Sequence, residues 1–283
     1  MIEIYKDKIV LANHPNFCVA DTLECGQFFR YSKVDDATYR VYSLDKFALV
    51  VTKGDVVEIQ TDDVQYFYNF FALDVDYTPA IGRLNDYSQF LSDAIEYGKG
   101  IRILRQDLVE TIFCFIISAN NNIKRIQGIV ERLCAKYGAK TDNGYAFPTL
   151  EALANATEAD LKAIGAGYRA SYIVNTAKAL VAMDLSTLAN MSTNKARQAL
   201  LALSGVGPKV ADCILLFGLN KGDVFPVDTW IKKVYHTYFE KGHSDNQIAD
   251  YLVSLFGDDS GLCQQYLFYF QRKYGQTSGN SLQ

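Results

Sequence analysis

The chain has 283 residues, 49% of them hydrophobic, enough for one large domain or two moderate ones. A formal net charge of -4 excludes a general polybasic binder, and the longest apolar runs, such as Ile112 to Ile117, are too short to span a bilayer. Six cysteines, at 18, 25, 114, 134, 213 and 263, are scattered without a C-x-x-C pair, which excludes a disulfide framework or a clustered zinc site and fits reduced thiols.

The first residues, MIEIYKDKIV, offer neither a basic leader with an apolar core nor an arginine-rich amphipathic stretch, so a cytoplasmic location is expected. From Ile2 to about Asp76, polar residues alternate with β-branched or aromatic ones, most clearly in TYRVYSLDKFALVVTKGDVVEIQT, predicting antiparallel strands with a turn at Lys53-Gly54-Asp55. Within this region LECGQFFRY is less regular. Gly26 there reads either as an ordinary bulge or as a point where a ligand meets bare backbone. YFYNFF and YSQFLSDAIEYG, between Val64 and Gly100, have helical spacing and carry the chain from sheet to helical body. The fold class is therefore α+β, with an antiparallel sheet domain over 1–100 and a mostly helical domain over 101–283.

A helix is predicted from about Leu108 to Ser118, followed by ANNNIKRIQGIVERLCAKYG. Asparagines at 120 to 122 are poor inside helices but good caps, so Asn122 reads as a cap; the same amides are also suited to reach unpaired bases. Leu150 to Met191 predicts two helices, in ALANATEADLKAIG and YIVNTAKALVAM, with Asp184 to Asn190 a connecting loop.

The densest stretch is Leu201 to Tyr235, LALSGVGPKVADCILLFGLNKGDVFPVDTWIKKVY. A helix begins after Ser192 or Thr193, Gly205 and Gly207 break it, and Pro208 fits the first position of a second helix reaching Gly218. The result is a helix-hairpin-helix over 193–219. Bare backbone at the two glycines and the free amides of the next helix suit contact with phosphate, which positions nucleic acid without reading bases; an ordinary glycine turn is the plain alternative. Lys209 can attack an electrophilic carbon once it loses its proton. Asp228, placed as the cap of a third helix, suits stabilising a cationic sugar or handling a proton. The plain readings are a first-turn surface lysine and a simple cap. Beyond Tyr235, helices are predicted over Asp245 to Phe256 and in LCQQYLFYFQRKYG, where Gln264 and Phe268 share a face suited to a pocket wall that needs one amide and one ring.

These segments together resemble the helix-hairpin-helix, Gly/Pro-Asp class of DNA glycosylases, and within it the 8-oxoguanine DNA glycosylase/AP lyases, over about Cys18 to Tyr274. The resemblance implies that Lys209 attacks the sugar C1′, expels the damaged base and holds the DNA as a Schiff base until β-elimination, while Asp228 stabilises the sugar charge. It implies that the Gly26 carbonyl accepts N7–H of 8-oxoguanine, that Gln264 reads its Watson–Crick edge, and that Phe268 and Cys213 cover its two faces. Asn120 would fill the gap left by the flipped base, Arg125 and Arg169 would receive the orphaned cytosine, and Tyr168 would wedge the duplex. Gly205, Gly207, Val210 and Trp230 would clamp the DNA backbone, and carbonyls of Leu201, Leu203 and Val206 would hold a structural cation.

No redox or organic cofactor is implied, and the expected partner is duplex DNA containing 8-oxoguanine, bound by a monomer with no obligate protein partner. Lys124, Arg125, Arg169, Lys209, Lys232 and Lys233 are candidates for a local positive groove. The sequence departs from the family pattern at Tyr31 (tryptophan in S-G-Q-x-F-R-W), at Trp230 (commonly histidine) and at Gln271 (aspartate). The tail from Tyr274 to Gln283 carries no iron–sulfur ligands, which separates the chain from relatives that excise adenine or oxidised pyrimidines. A related glycosylase for another damaged base, or a catalytically silent DNA-binding scaffold, are the alternatives.

Overall fold

The computed structural model describes residues 1–14, 16–239 and 242–277, and every count and absence below refers to these described residues. Strands β1 (Ile2–Ile4), β2 (Lys8–Ala12), β3 (Tyr31–Lys33), β4 (Thr38–Ser43), β5 (Lys46–Lys53) and β6 (Val56–Thr61) form one antiparallel sheet in the order β1-β2-β6-β5-β4-β3. Alternate residues face the core, with Ile9 and Leu11 on β2, Tyr39 and Val41 on β4, and Val57 and Ile59 on β6 all buried. A one-residue slip would turn this apolar set to water, so the pattern fixes the register. Gly54, at φ +58, makes the expected turn between β5 and β6.

The predicted run of strands is interrupted by α1 (Val19–Glu24). LECGQFFRY is therefore not a bulged strand: its first residues end a helix that buries Leu23, and Gly26 lies in the loop beyond. This helix has only six residues and no side-chain N-cap, so neither periodicity nor a cap signal marks it. Helix α2 (Val64–Phe70) is capped by the Asp63 carboxylate and packs Phe67 and Phe70 against the sheet.

The next helices, α3 (Thr78–Asn85) and α4 (Gln89–Tyr97), turn away from the sheet. Leu84, Leu91 and Ile95 share a core with Phe225, Val234, Leu252 and Tyr266, far along the chain. The intervening body holds α5 (Leu108–Ser118), α6 (Ile123–Tyr137), a small hairpin of β7 (Lys140–Thr141) and β8 (Gly144–Tyr145), α7 (Leu150–Ala154), α8 (Glu158–Ala163), α9 (Arg169–Val181) and α10 (Leu185–Asn190). It continues with α11 (Thr193–Leu201), α12 (Pro208–Gly218), α13 (Thr229–Tyr238), α14 (Ile248–Phe256) and α15 (Ser260–Thr277).

Leu150 to Met191 holds four helices where two were predicted. Thr149, Thr157 and Asp184 each cap a new start, so the predicted loop over Asp184–Asn190 is helix α10. None of these helices is long and apolar enough to cross a membrane. The part of the Tyr274–Gln283 tail beyond Thr277 lies outside the described residues.

Sheet and helical body meet over a buried ion pair. Arg30 Nη1 donates to Glu110 Oε2 at 3.2 Å, and the Leu44 amide donates to the same oxygen at 2.8 Å. Arg30 also donates to the carbonyls of Leu44 and Tyr145. Burial pushes the Glu110 carboxyl up from its ordinary value, and Arg30 pulls it back in part. Substituting Glu110→Ala leaves the Arg30 charge buried without its counterion. The expected loss is about 3–5 kcal/mol, measured by urea titration against the parent protein.

Candidate active site

Lys209 owes its place to the start of α12. Gly207 is the N-cap, Pro208 occupies the first turn, and the half-buried lysine extends over Phe115 of α5, its Nζ 5.3 Å from the ring centroid. Asp228 caps α13 as predicted: Oδ1 accepts the amides of Trp230 at 3.0 Å and Ile231 at 2.9 Å, leaving Oδ2 outside the cap. Lys209 and Asp228 line one cleft of about 780 Å³, together with Gly26, Asn120, Trp230 and Phe268.

Gly26 adopts φ +96, a region that L side chains rarely enter, so it is not an ordinary bulge residue. A Cβ there would also lie 2.9 Å from Arg272 Nη1 and 3.0 Å from Phe268 Cε1. Its loop is held by the next residue. The buried Gln27 amide donates to the carbonyls of Thr22 at 2.9 Å and Arg102 at 2.8 Å, and its oxygen accepts from the Leu104 amide at 2.9 Å. Gln106 in turn donates to the Gln27 carbonyl at 2.7 Å.

Two expected pocket residues lie behind the wall. Cys213 and Gln264 are 3% and 4% exposed, and Gln264 Oε1 accepts from Gln265 Nε2 at 2.7 Å. Burial pushes the Cys213 thiol up to about 11, with the Lys209 charge pulling the other way, so it stays protonated at neutral pH and does not compete as a nucleophile.

Around Asn120 the chain takes φ +50 and the side chain is exposed. Arg169 lies beneath this loop, 3% exposed, donating to the Ala119 carbonyl at 2.9 Å through Nε and to the Asn120 carbonyl at 2.9 Å through Nη2. Its guanidinium is 4.4 Å from the centroid of the exposed Tyr168 ring, whose hydroxyl donates to Ala119 O at 3.2 Å. Arg125 is exposed at the start of α6, where its amide donates to the Asn122 cap at 2.9 Å. Trp230 stands where the resembled family commonly has a histidine, and Lys233 Nζ lies 4.8 Å from its ring centroid, so positive charge is adjacent.

The site also contains residues that the sequence reading passed over. Phe115 supports the Lys209 amine, and Ile123 lies 3.4 Å from the position a Gly26 Cβ would take. Arg272 follows Phe268 by one helical turn, and that spacing was the signal available for it.

A family model for the N-terminal domain of 8-oxoguanine DNA glycosylase matches residues 9–112, and one for the HhH-GPD superfamily base excision DNA repair proteins matches 113–255. The chain belongs to this superfamily. Membership implies a glycosylase of base excision DNA repair. It is 32% identical to an N-glycosylase/DNA lyase of Saccharomyces cerevisiae over 284 residues, covering 87% of this chain and 74% of that protein. A probable N-glycosylase/DNA lyase of Methanothermobacter thermautotrophicus is 33% identical over 223 residues, 68% of this chain and 72% of its own. The structure also superposes on a Clostridium acetobutylicum 8-oxoguanine glycosylase/lyase, solved with double-stranded DNA containing cytosine opposite 8-oxoG. That match has a TM-score of 0.91 at 36% identity and covers 97% of this chain and 98% of that one.

The two hairpin glycines differ in what holds them. Gly205 has φ +81, and a Cβ there would lie 2.7 Å from the Tyr172 side chain; Gly207 has φ -93 and open space around the same position. Gly205→Ala is expected to lose about 1–3 kcal/mol, whereas Gly207→Ala stays within about 0.5 kcal/mol. Thermal unfolding of the two variants side by side measures the difference.

Proposed function

We propose that the chain is a bifunctional DNA glycosylase/AP lyase that excises 8-oxoguanine opposite cytosine from duplex DNA. The observation carrying this reading is the convergence on one cleft of a helix-start lysine, a capping carboxylate, a glycine backbone and an aromatic ring: Lys209, Asp228, Gly26 and Phe268. A bond forms between the Lys209 amine and C1′ as the bond from C1′ to the base breaks, with the Asp228 carboxylate offsetting positive charge on the sugar. The amine's proton leaves with the base, the adduct opens to an imine, transfer of a C2′ proton to the expelled base breaks the C3′–O bond and releases the 3′ phosphate, and water hydrolyses the imine to free the lysine. The Gly26 carbonyl discriminates at N7, which carries hydrogen in 8-oxoguanine and a lone pair in guanine; guanine would leave two acceptors facing each other.

Asn120 and Tyr168 fill the vacated stack, offsetting part of the cost of extruding the base. Arg125 and Arg169 donate to the unpaired cytosine. For Arg169 this means exchanging its bonds to Ala119 and Asn120 for bonds to the base. Cys213 and Gln264 join the pocket as its inner wall opens to the base.

Amides of Gly205, Gly207 and Val210, with Trp230 and Lys233, meet the DNA backbone, while carbonyls of Leu201, Leu203 and Val206 suit a structural cation. No cluster of His, Cys, Asp or Glu suited to a metal is found among the described residues, so such a cation would rest on backbone oxygens. The protein acts as a monomer in this reading.

Matched duplexes carrying 8-oxoguanine opposite each of the four bases test the proposal, with cleavage expected to be fastest opposite cytosine. Lys209→Gln should lower excision about a thousandfold or more and abolish borohydride trapping, while gel-shift affinity is preserved. Retained lyase activity would move the chemistry to another residue. Gly207→Ala should weaken duplex binding, since it introduces a methyl group where phosphate approaches.

A further inference from the structure

Arg272 borders the same cleft, and nothing in the proposed reaction uses it. It lies on α15 at the helical spacing that already relates Gln264 to Phe268, so the three share one face. Its Nη2 donates to the Glu24 carbonyl, and its guanidinium carbon lies 5.5 Å from the Phe268 ring centroid and 5.7 Å from that of Tyr269. These contacts hold the planar fork with Nη1 beside Gly26, 2.9 Å from where a Cβ of that glycine would stand.

Nη1 is buried and has no hydrogen-bond partner. The neighbouring groups are otherwise engaged: the Glu24 carbonyl accepts from Nη2, and the Tyr269 hydroxyl donates to Asp21 at 3.2 Å. A desolvated cationic donor without an acceptor is costly, so an unpaired N–H on a residue that lines the cleft marks where a ligand oxygen is wanted once the base enters. We propose that Arg272 is a specificity-determining residue of the base pocket, donating from Nη1 to an exocyclic oxygen of the extruded base.

The inference rests on the reading of the site as an 8-oxoguanine pocket and deepens it. The backbone of Gly26 and the Arg272 Nη1 donor are neighbours, 2.9 Å separating Nη1 from a Cβ built on that glycine, and in the proposed complex the carbonyl and the donor act on the base as a pair. A cyclic amide presents the complement, and the imidazolone edge of an 8-oxopurine is one, with N7–H next to C8=O. Guanine presents a lone pair at N7 and only C–H at C8, so it fails at both groups. Selection therefore covers the amide edge as a unit, and 8-oxopurines as a class fit it.

Single-turnover release of 8-oxoguanine opposite cytosine, and cleavage of a preformed abasic site in the same duplex, are compared for the parent protein, Arg272→Met and Arg272→Lys. The expected result is base release slowed about ten- to a hundredfold in Arg272→Met, abasic cleavage within about twofold of the parent, and partial recovery in Arg272→Lys. Unchanged or faster base release in Arg272→Met would make the arginine a plug rather than a reader and overturn the inference. An equal fall in abasic cleavage would reduce it to structural support and overturn it as well. A parent protein that releases no 8-oxoguanine defeats the functional reading and this inference together, whereas an active parent with an indifferent Arg272→Met defeats this inference alone.

Discussion

A buried amide sets the position of the cleft wall. Gln27, fully buried, is bonded on both sides of its side-chain amide and again at its backbone carbonyl, joining the loop after α1 to the segment that leads into α5. Arg102 continues the same seam, its guanidinium donating to carbonyls of Phe71, Ala72 and Val75 and lying 4.5 Å from the centroid of the Tyr77 ring. Polar groups removed from water tolerate few arrangements, because any shift leaves a donor or acceptor unpaired. Gly26, one residue from Gln27, is therefore held at a defined height over the cleft in a conformation that other residues resist.

Lys209 and Asp228 are placed by another device, the beginning of a helix. α13 spends the Asp228 carboxylate on its own first amides, whereas α12 begins at a glycine with no side chain bonded to its amides. One helix start is closed by its own acid and the other is left open to an external anion. Lys209 stands at the open one. Arg197, donating to the buried Asp212 at 2.8 Å, ties α11 to α12 and keeps the hairpin's two arms together.

Much of this was legible in the sequence where a local rule decides the outcome. Pro208 and the apolar spacing after it marked α12, and P-V-D-T-W marked the Asp228 cap, because caps and proline act through their own neighbours. α1, α7, α8 and α10 were obscure for the opposite reason: each has five or six residues, too few for a period to emerge. Gly26 was visible as a glycine, but its φ depends on the Gln27 network, which joins segments far apart in sequence. Arg169 could be read as a cation, yet its burial under the Asn120 loop depends on tertiary packing, as does the unpaired Nη1 of Arg272.

The third core, in which α3 and α4 pack with α13, α14 and α15, crosses the boundary drawn at residue 100. Its earliest members must wait for its latest before either side is covered, so closing it costs the entropy of a very long loop. The same late element, α15, brings Phe268 and Arg272 to face Gly26 from the other end of the chain. During synthesis the sheet can therefore take shape while the loop carrying Gly26 still has no opposing wall, and the cleft closes around that glycine only after α15 has docked.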